Sequence, residues 1–150
     1  MYEFWPVMTA YSLLDEKRFL VREIDPEAMV FDAVRLMDAY QVGALMVVKD
    51  DLLVGVISER DYTRKVVLKN RSSKTTQVRE IMTTEPVTVS PRTDLEDCMS
   101  VMAERRIRHL PVTEQGHVLG VISSTDLLKL AIQQKDYVIE QLEQYIAPGP

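Results

Sequence analysis

The chain carries an internal duplication, and this feature limits its possible folds more than any other. Shifting the sequence by 65 residues lays residues 26–61 over residues 91–126 without a gap. Ten of the 36 aligned pairs are identical, whereas ordinary composition would give roughly two. One copy of about 60 residues exposes an apolar sheet face that it cannot bury alone. The duplication therefore predicts two similar units that pack against each other and complete one core.

Each copy is predicted to begin with a strand and a helix. In the first copy, a strand at 19–24 leads into Asp25-Pro26. We expect this pair to supply the N-cap and the first-turn proline of a helix that runs to about Tyr40. Ser90-Pro91 is expected to start the corresponding helix of the second copy.

Each copy is then predicted to continue as a hairpin and a second helix. The predicted hairpin strands are 45–48, 53–57, 110–112 and 118–122, with turns at 49–51 and 114–116. A second helix is expected after Ser58 and after Ser123. The predicted fold class is therefore α/β (α+β), with two β-α-β-β-α units related by a pseudo-twofold axis. Such an axis would bring equivalent loops face to face and create a cleft.

The segments outside the repeat set the predicted domain limits. We expect a short helix at 8–16, a polar linker at 70–76, a turn at 78–82 and a final helix that continues through 142–145. The predicted division is a first domain with its N-terminal helix at 7–70, a linker at 71–81, a second domain at 82–136 and a helical tail at 137–150.

Composition excludes several classes of function. No apolar run approaches the ~20 residues that a membrane span needs, and residues 1–8 lack the pattern of a signal peptide. We therefore expect a cytoplasmic protein without a membrane partner. The single cysteine, Cys98, cannot form an internal disulfide, and no Cys/His spacing suits zinc. We expect Cys98 to pack in the core rather than to act as a nucleophile.

The distribution of charge predicts a small anionic ligand. The net charge of -5 argues against a nucleic-acid polymer, which is bound through many Lys and Arg. Nine of the 18 Lys and Arg nevertheless fall within 60–74 and 105–108. Two local basic clusters in an acidic protein favour a compact anion.

The duplicated glycine-to-aspartate segments carry a family resemblance. Residues 55–61, Gly-Val-Ile-Ser-Glu-Arg-Asp, and residues 120–126, Gly-Val-Ile-Ser-Ser-Thr-Asp, resemble the Gly-apolar-apolar-Ser/Thr-x-x-Asp nucleotide motif of CBS domains. Residues 108–112, Arg-His-Leu-Pro-Val, are similar to the second-strand signature of that family. The resemblance covers about 7–134 and identifies the chain as a stand-alone pair of CBS domains. In the first copy Gly-Ala-Leu-Met at 43–46 departs from the signature, so one site should have fewer phosphate ligands.

The chemistry of the motif suits a ribose and its phosphate. A strand that ends in serine and turns directly into a helix offers free N–H groups and the positive end of a helix dipole. Asp61 and Asp126 follow Ser58 and Ser123 by three residues, where a carboxylate can accept from both ribose hydroxyls. The dipole alone also favours an aspartate in the first helical turn, so a purely structural role stays open.

The resemblance implies that each ribose lies on the aspartate of one copy while the other copy contacts its phosphate. Asp61 would work with Arg108, His109 and Thr125, whereas Asp126 would have Arg60 and only small residues opposite. Strand ends near 84–87, and their counterparts near 19–21, would line the adenine. The expected nucleotide-binding residues are Ser58, Arg60, Asp61, Arg71, Ser73, Lys74, Thr84, Pro86, Val87, Arg108, His109, Pro111, Ser123, Thr125 and Asp126.

Some of these residues also have a simpler interpretation. Arg71, Ser73 and Lys74 pair cations with hydroxyls in the linker and suit a phosphate clamp, but a merely solvated loop fits the same pattern. His109 could be an ordinary strand residue, and His117 is expected to have no specific role.

The sequence therefore predicts a non-catalytic module that binds an adenosine nucleotide, either AMP, ADP/ATP or NAD(H). We expect a homodimer that regulates a separate, unidentified protein through a ligand-dependent change of conformation. The alternative is a structural or interaction module that has lost the ligand. A small enzyme is a third hypothesis, but no Ser, His and acid constellation is evident in the sequence.

Overall fold

The computed structural model describes residues 8–17 and 21–146. The helices are α1 Ala10–Lys17, α2 Val30–Tyr40, α3 Glu59–Tyr62 with a π-helical continuation at Thr63–Val67, α4 Val78–Ile81, α5 Leu95–Arg105 and α6 Ser124–Ile146. The strands are β1 Glu23–Ile24, β2 Ala44–Lys49, β3 Leu52–Ser58, β4 Thr83–Thr84, β5 His109–Glu114 and β6 His117–Ser123. The order β-α-β-β-α is the one that the sequence predicts for each copy, and the mixed α and β fold class is confirmed.

The backbone repeats with the same 65-residue offset as the sequence. Leu45 pairs with Ile57 in the first hairpin, and Leu110 pairs with Ile122 in the second. Each hairpin shifts register once at equivalent positions, 47/48 and 112/113. Both hairpin turns have two residues with positive φ, 50–51 and 115–116, which is the conformation that matches the twist of the flanking strands. The two hairpins are therefore duplicates in conformation as well as in sequence.

The predicted starts of the first helix in each copy are wrong. α2 begins at Val30 and α5 at Leu95, four residues later than expected. Asp25 Oδ1 accepts from the N–H of Glu27 at 2.8 Å and closes a turn instead of capping a helix. Ser90 forms the equivalent turn, in which its hydroxyl accepts from the N–H of Arg92 at 3.1 Å.

Remote backbone carbonyls satisfy the first N–H groups of these helices. The N–H groups of Val30 and Phe31 donate to the carbonyls of Thr76 and Ser73 at 2.8 and 2.9 Å. In the second copy, the N–H of Leu95 donates to the carbonyl of Met8 at 3.0 Å. Because these partners take the role of a side-chain cap, the helix starts where the other segment docks.

Most other predicted elements are present. The hairpins and the final helix lie where the sequence places them, and the expected turn at 78–82 is the short helix α4. Of the predicted strand 19–24, only Glu23–Ile24 is a strand, while residues 18–20 lie outside the described residues.

The segment that precedes each copy docks on the other copy. α4 precedes the second copy, yet the N–H groups of Val78 and Arg79 donate to carbonyls of the first copy at 2.8 Å. β4 pairs with β3 in the sheet of the first copy. Conversely, the N–H of Ala10 in α1 donates to the carbonyl of Thr93 at 2.8 Å. The predicted domain limits stay a prediction, but the buried side chains of α1 pack with the second copy and those of α4 with the first.

Two apolar clusters form the core. The first contains Ile24, Val30, Ala33, Met37, Leu45, Val47, Ile57, Val66, Val78 and Ile81. The second contains Ala10, Leu13, Leu14, Leu95, Cys98, Met102, Leu110, Val112, Ile122, Leu127 and Leu130. Cys98 is therefore buried in the core, as the sequence predicts. In the part of the chain that the structure describes, no helix combines the length and the hydropathy needed to cross a bilayer.

Candidate functional site

The first motif forms a capping box at the junction of β3 and α3. Asp61 Oδ2 accepts from the N–H of Ser58 at 2.9 Å and from its hydroxyl at 3.1 Å. The Ser58 hydroxyl in turn accepts from the N–H of Asp61 at 3.2 Å. Asp61 is only 8% exposed. The local sequence folds this way because serine and an acidic residue three positions later satisfy each other's backbone donors.

The second motif repeats this geometry. Asp126 Oδ2 accepts from the N–H of Ser123 at 2.9 Å, and the Ser123 hydroxyl accepts from the N–H of Asp126 at 3.1 Å. In both copies the box uses the same carboxylate oxygen. The structural role that the sequence left open is therefore present at both aspartates.

In the first motif a lysine pairs with the aspartate from a position that holds a leucine in the second copy. Lys65 Nζ lies 3.0 Å from Asp61 Oδ1 and donates to the carbonyl of Ile81 at 2.9 Å. The residue equivalent to Lys65 in the second copy is Leu130, which is buried in the core. Sequence reasoning placed Lys65 in a basic cluster but missed this pair. The i, i+4 spacing of Asp61 and Lys65 on a predicted helix was the available signal.

The hairpins of the two copies meet each other. The N–H of Leu53 donates to the carbonyl of Gly116 at 3.0 Å, and His117 Nδ1 lies 2.9 Å from the carbonyl oxygen of Asp51. His117, expected to have no specific role, thus joins the two hairpin turns. Equivalent loops do face one another, as the predicted pseudo-twofold axis requires.

A chain of contacts brings His109 of the second copy near the first motif. The N–H of Glu59, the first residue of α3, donates to the carbonyl of Gly43 at 3.0 Å. A Cβ placed on Gly43 would lie 3.3 Å from His109 Cε1. The equivalent bond in the second copy joins the N–H of Ser124 to the carbonyl of Arg108 at 2.9 Å. The start of each motif helix is therefore held by the residue that precedes the first hairpin strand of its own copy.

The remaining cations and hydroxyls near the motifs are largely open to solvent. The side chains of Arg60, Arg108 and Thr125 are exposed, and His109 is half-buried. Pro111 lies buried within β5. Their assignment as phosphate-contacting residues stays a prediction.

The linker residues are engaged with neighbouring helices. Arg71 Nη2 lies 2.6 Å from Glu80 Oε1, and the carbonyl of Ser73 caps α2. Lys74 Nζ stands 5.3 Å from the centre of the Phe31 ring, within range of a cation–π contact. The N–H of Gln77 and the side chain of Arg71 both bond the Glu80 carboxylate, and together they hold its pKa below the usual range. A phosphate clamp at this linker stays a prediction, and it would have to compete with the pair between Arg71 and Glu80.

The expected adenine-lining residues follow β4. Thr84 is exposed and pairs with Gly55 in the sheet. Glu85, which has a positive φ, lies between Thr84 and Pro86. Val87 is partly buried against the second core cluster. This segment passes from the sheet of one copy to the core of the other, but contact with an adenine is untested.

One cavity lies apart from the predicted site. It has a volume of about 440 Å³ and is lined by Thr9, Tyr11, Pro91, Arg92, Glu114 and Leu119. None of the predicted nucleotide-binding residues lines it. Among the residues that the structure describes, no three His, Cys, Asp or Glu side chains are grouped so that they could hold a metal ion.

Comparison with known proteins identifies the family. The family model described as "CBS domain" matches residues 21–68 and 78–132. The CBS domain-containing protein CBSX3, mitochondrial, of Arabidopsis thaliana is 40% identical over 125 residues, which are 80% of this chain and 61% of that protein. The chain thus matches about three fifths of that relative's length.

Solved structures share the fold as well. The crystal structure of the CBS domain protein NE2398 has a TM-score of 0.80 and 45% identity, and the match covers 85% of this chain and 99% of that one. The CBS domain pair of protein MJ0100, in complex with 5'-methylthioadenosine and S-adenosyl-L-methionine, has a TM-score of 0.77 at 20% identity, with coverage of 86% and 99%. The match to the family model at two consecutive positions shows that the chain belongs to the CBS domain family and is a CBS domain pair.

Proposed function

We propose that this CBS domain pair is a non-catalytic regulatory module that binds an adenosine-containing small molecule between its two copies. The observation that supports the proposal is the contact between Gly43 and His109, because Gly43 accepts from the first N–H of α3 and His109 belongs to the second copy. The MJ0100 pair, which has the same fold, was crystallised with two adenosine compounds. The proposed ligands for this chain are AMP, ADP/ATP or NAD(H).

The proposed binding mode follows from the polar groups of the first motif. Asp61 Oδ2 is used by the capping box, so the ribose hydroxyls would donate to Oδ1. The phosphate would lie toward Arg108 and His109, because cations and N–H donors favour an anion there. The second pocket, built on Asp126, would have Arg60 for the phosphate and the small residues Gly43 and Ala44 opposite.

Regulation requires that the ligand prefer one conformation of the pair over another. The segment that precedes the second copy but docks on the first offers such a link, since α4 and β4 join the linker to the sheet of the first copy. A ligand that draws the copies together would change the surface that the pair offers to a separate protein. The regulation of a separate, unidentified protein and a cytoplasmic location are both part of the proposal. The relative from Arabidopsis thaliana is described as mitochondrial.

The proposed homodimer rests on α6. This helix has 23 residues, and its side chains Leu128, Ile132 and Ile139 are 62%, 52% and 42% exposed. Their spacing places them on one face, and a large exposed apolar face marks an interaction site. Light scattering of the wild type and of Ile132→Glu tests this assignment, and equal masses for the two proteins would contradict it.

Titration calorimetry with AMP, ATP, NAD⁺ and S-adenosylmethionine tests the ligand. Asp61→Asn and Asp126→Asn are better variants than alanine, because an asparagine oxygen can still accept from the serine N–H of the box. Each substitution should weaken the ribose contact at its own pocket by about tenfold or more, as expected for a hydrogen bond to a charged group. The proposal fails if none of the four compounds binds, or if the double variant binds as tightly as the wild type.

The engaged state of the two aspartates favours one competing function. Both carboxylates already serve a capping box, and Asp61 also has an ion pair, so the motif has a structural role without any ligand. A ligand-free interaction module would give the same geometry. In that case the double Asn variant would keep its affinity for a partner protein, and no adenosine compound would alter that affinity.

A further inference from the structure

One of the differences between the two sugar pockets of the proposed function is the charged residue Lys65. Lys65 Nζ contacts Asp61 Oδ1 at 3.0 Å while the capping box engages Oδ2. Both oxygens of this carboxylate therefore have partners within the chain. The Lys65 side chain is 46% exposed, so it can leave Asp61 without unfolding its surroundings.

The second copy carries no cation at the equivalent position. Leu130 stands there and is buried among the side chains of the second core cluster. The backbone differs as well, because Lys65 lies in the π-helical stretch Thr63–Val67, whereas residue 130 lies within the regular helix α6. Single π-helical turns are rare and are frequently found at functional sites. The asymmetry is thus built into both the side chain and the backbone.

We propose that Lys65 is a specificity-determining residue that makes the Asp61 pocket select phosphorylated adenosine compounds over the neutral nucleoside. This inference rests on the proposed function. A ribose hydroxyl that donates to Asp61 Oδ1 competes with the ammonium for this oxygen and weakens the ion pair. With a neutral ligand nothing replaces the part of the ion pair that is lost, so binding carries this cost.

A phosphate changes this balance. The lysine stem has four methylene groups and places a compact positive charge over a wide arc. When the ligand carries a phosphate, the ammonium gains a second anion that offsets the weakened pair with Asp61. In the Asp126 pocket the equivalent position holds Leu130, so no such contribution comes from that position.

The same lysine links the pocket to the linker. Lys65 Nζ also donates to the carbonyl of Ile81, the last residue of α4. A ligand that draws the ammonium away from Asp61 would also release this carbonyl. Occupancy of the first pocket would then be transmitted to α4 and to β4, which follows it.

The test measures the dissociation constants of AMP and adenosine by calorimetry in the full chain with Asp126→Asn as background, so that the first pocket dominates. Lys65→Leu copies the residue of the second pocket, and Lys65→Gln is a polar substitute should leucine impair folding. Each should lower the preference for AMP over adenosine by about fivefold, the upper range for a partly exposed ion pair. Lys65→Arg, which keeps the charge, and Lys69→Leu, which removes an exposed cation nearby, should keep that preference.

Three results would decide the matter. A fall in the preference confined to Lys65→Leu and Lys65→Gln supports the inference. An equal preference in all variants, with both ligands bound, overturns it and leaves the proposed function intact. If neither ligand binds the wild type or any variant, the inference fails, and the proposed function fails with it only if ATP, NAD⁺ and S-adenosylmethionine do not bind either.

Discussion

Gly43 of the first copy packs against the imidazole of His109 in the second. A Cβ on Gly43 would lie 3.3 Å from His109 Cε1 and 3.7 Å from Nε2. In the repeat, Gly43 aligns with Arg108 and Ala44 aligns with His109. The first copy thus has small residues where the second has large ones. The departure from the family signature at 43–46 makes room for the histidine of the other copy, because two large side chains could not share this contact.

Gly43→Ala should destabilise the protein by about 1 kcal/mol, the lower range for overpacking, because the half-buried imidazole can shift by the few tenths of an ångström required. In a His109→Ala background the same substitution should cost almost nothing. Urea unfolding of the four proteins in this double-mutant cycle measures the coupling. Additive effects would show that the two residues are not in contact.

Gly55→Ala should be much more damaging than Gly43→Ala. A Cβ at residue 55 would lie 2.6 Å from Met82 Sδ and 2.9 Å from the carbonyl oxygen of Thr83. The thioether can move, but the carbonyl belongs to β4 and moves only if the pairing of β3 with β4 is disturbed. We expect a loss of about 2–3 kcal/mol, measured by urea unfolding. Faster hydrogen exchange at 83–84 should accompany it, and exchange unchanged at these amides would argue against a loss of pairing.

The elements that could be predicted from the sequence depend on neighbouring residues. The hairpin of Leu45 and Ile57 follows from apolar alternation, and the turn from Ser58 to Asp61 follows from their spacing. The start of α2 could not be predicted in this way, because the carbonyls that satisfy its first N–H groups belong to Ser73 and Thr76. A local pattern such as Asp25-Pro26 then predicts a cap where the chain only forms a turn.

The candidate site was predictable to a similar extent. The duplicated aspartates and the signature at Arg108 and His109 could be read from the repeat. The docking of α1 and α4 on opposite copies could not, since an apolar helix face does not say which core will receive it. The bond from Lys65 to Ile81 depends on that docking and was therefore missed as well.

Glu80→Gln should reduce stability at neutral pH but not in acid. In the folded chain the hydrogen bond from the N–H of Gln77 lowers the pKa of this carboxyl most, and the side chain of Arg71 lowers it further. A pKa that is lower in the folded than in the unfolded chain gives a stabilisation that is present above the unfolded pKa and is lost as the pH falls through the folded pKa. The difference in midpoint temperature between wild type and variant should thus shrink in acid. A difference that is constant with pH would contradict this assignment.

The thiol of Cys98 should be unreactive in the folded protein. Burial is the main cause that raises the pKa of this thiol, and the nearby carboxylates of Asp97 and Asp94 add to it, so that the pKa rises from 9.0 to about 11. At pH 8 this shift alone lowers the thiolate fraction by about 100-fold, and the thiolate is the reactive form. The reaction with a thiol-specific disulfide reagent should therefore be at least about 100-fold slower in buffer than in urea.

The reagent releases a coloured thiol when it reacts. Because Cys98 is the single cysteine of the chain, this colour reports on Cys98 alone, and the Cys98→Ser variant provides the blank. If deprotonation of the thiol limits labelling in buffer, the labelling rate should rise as the pH approaches 11. If opening of the core limits labelling, the rate should follow the free energy of unfolding instead. Rapid stoichiometric labelling of the folded chain at pH 8 would mean that residue 98 reaches solvent, and the packing of α5 in the second core would then have to be revised.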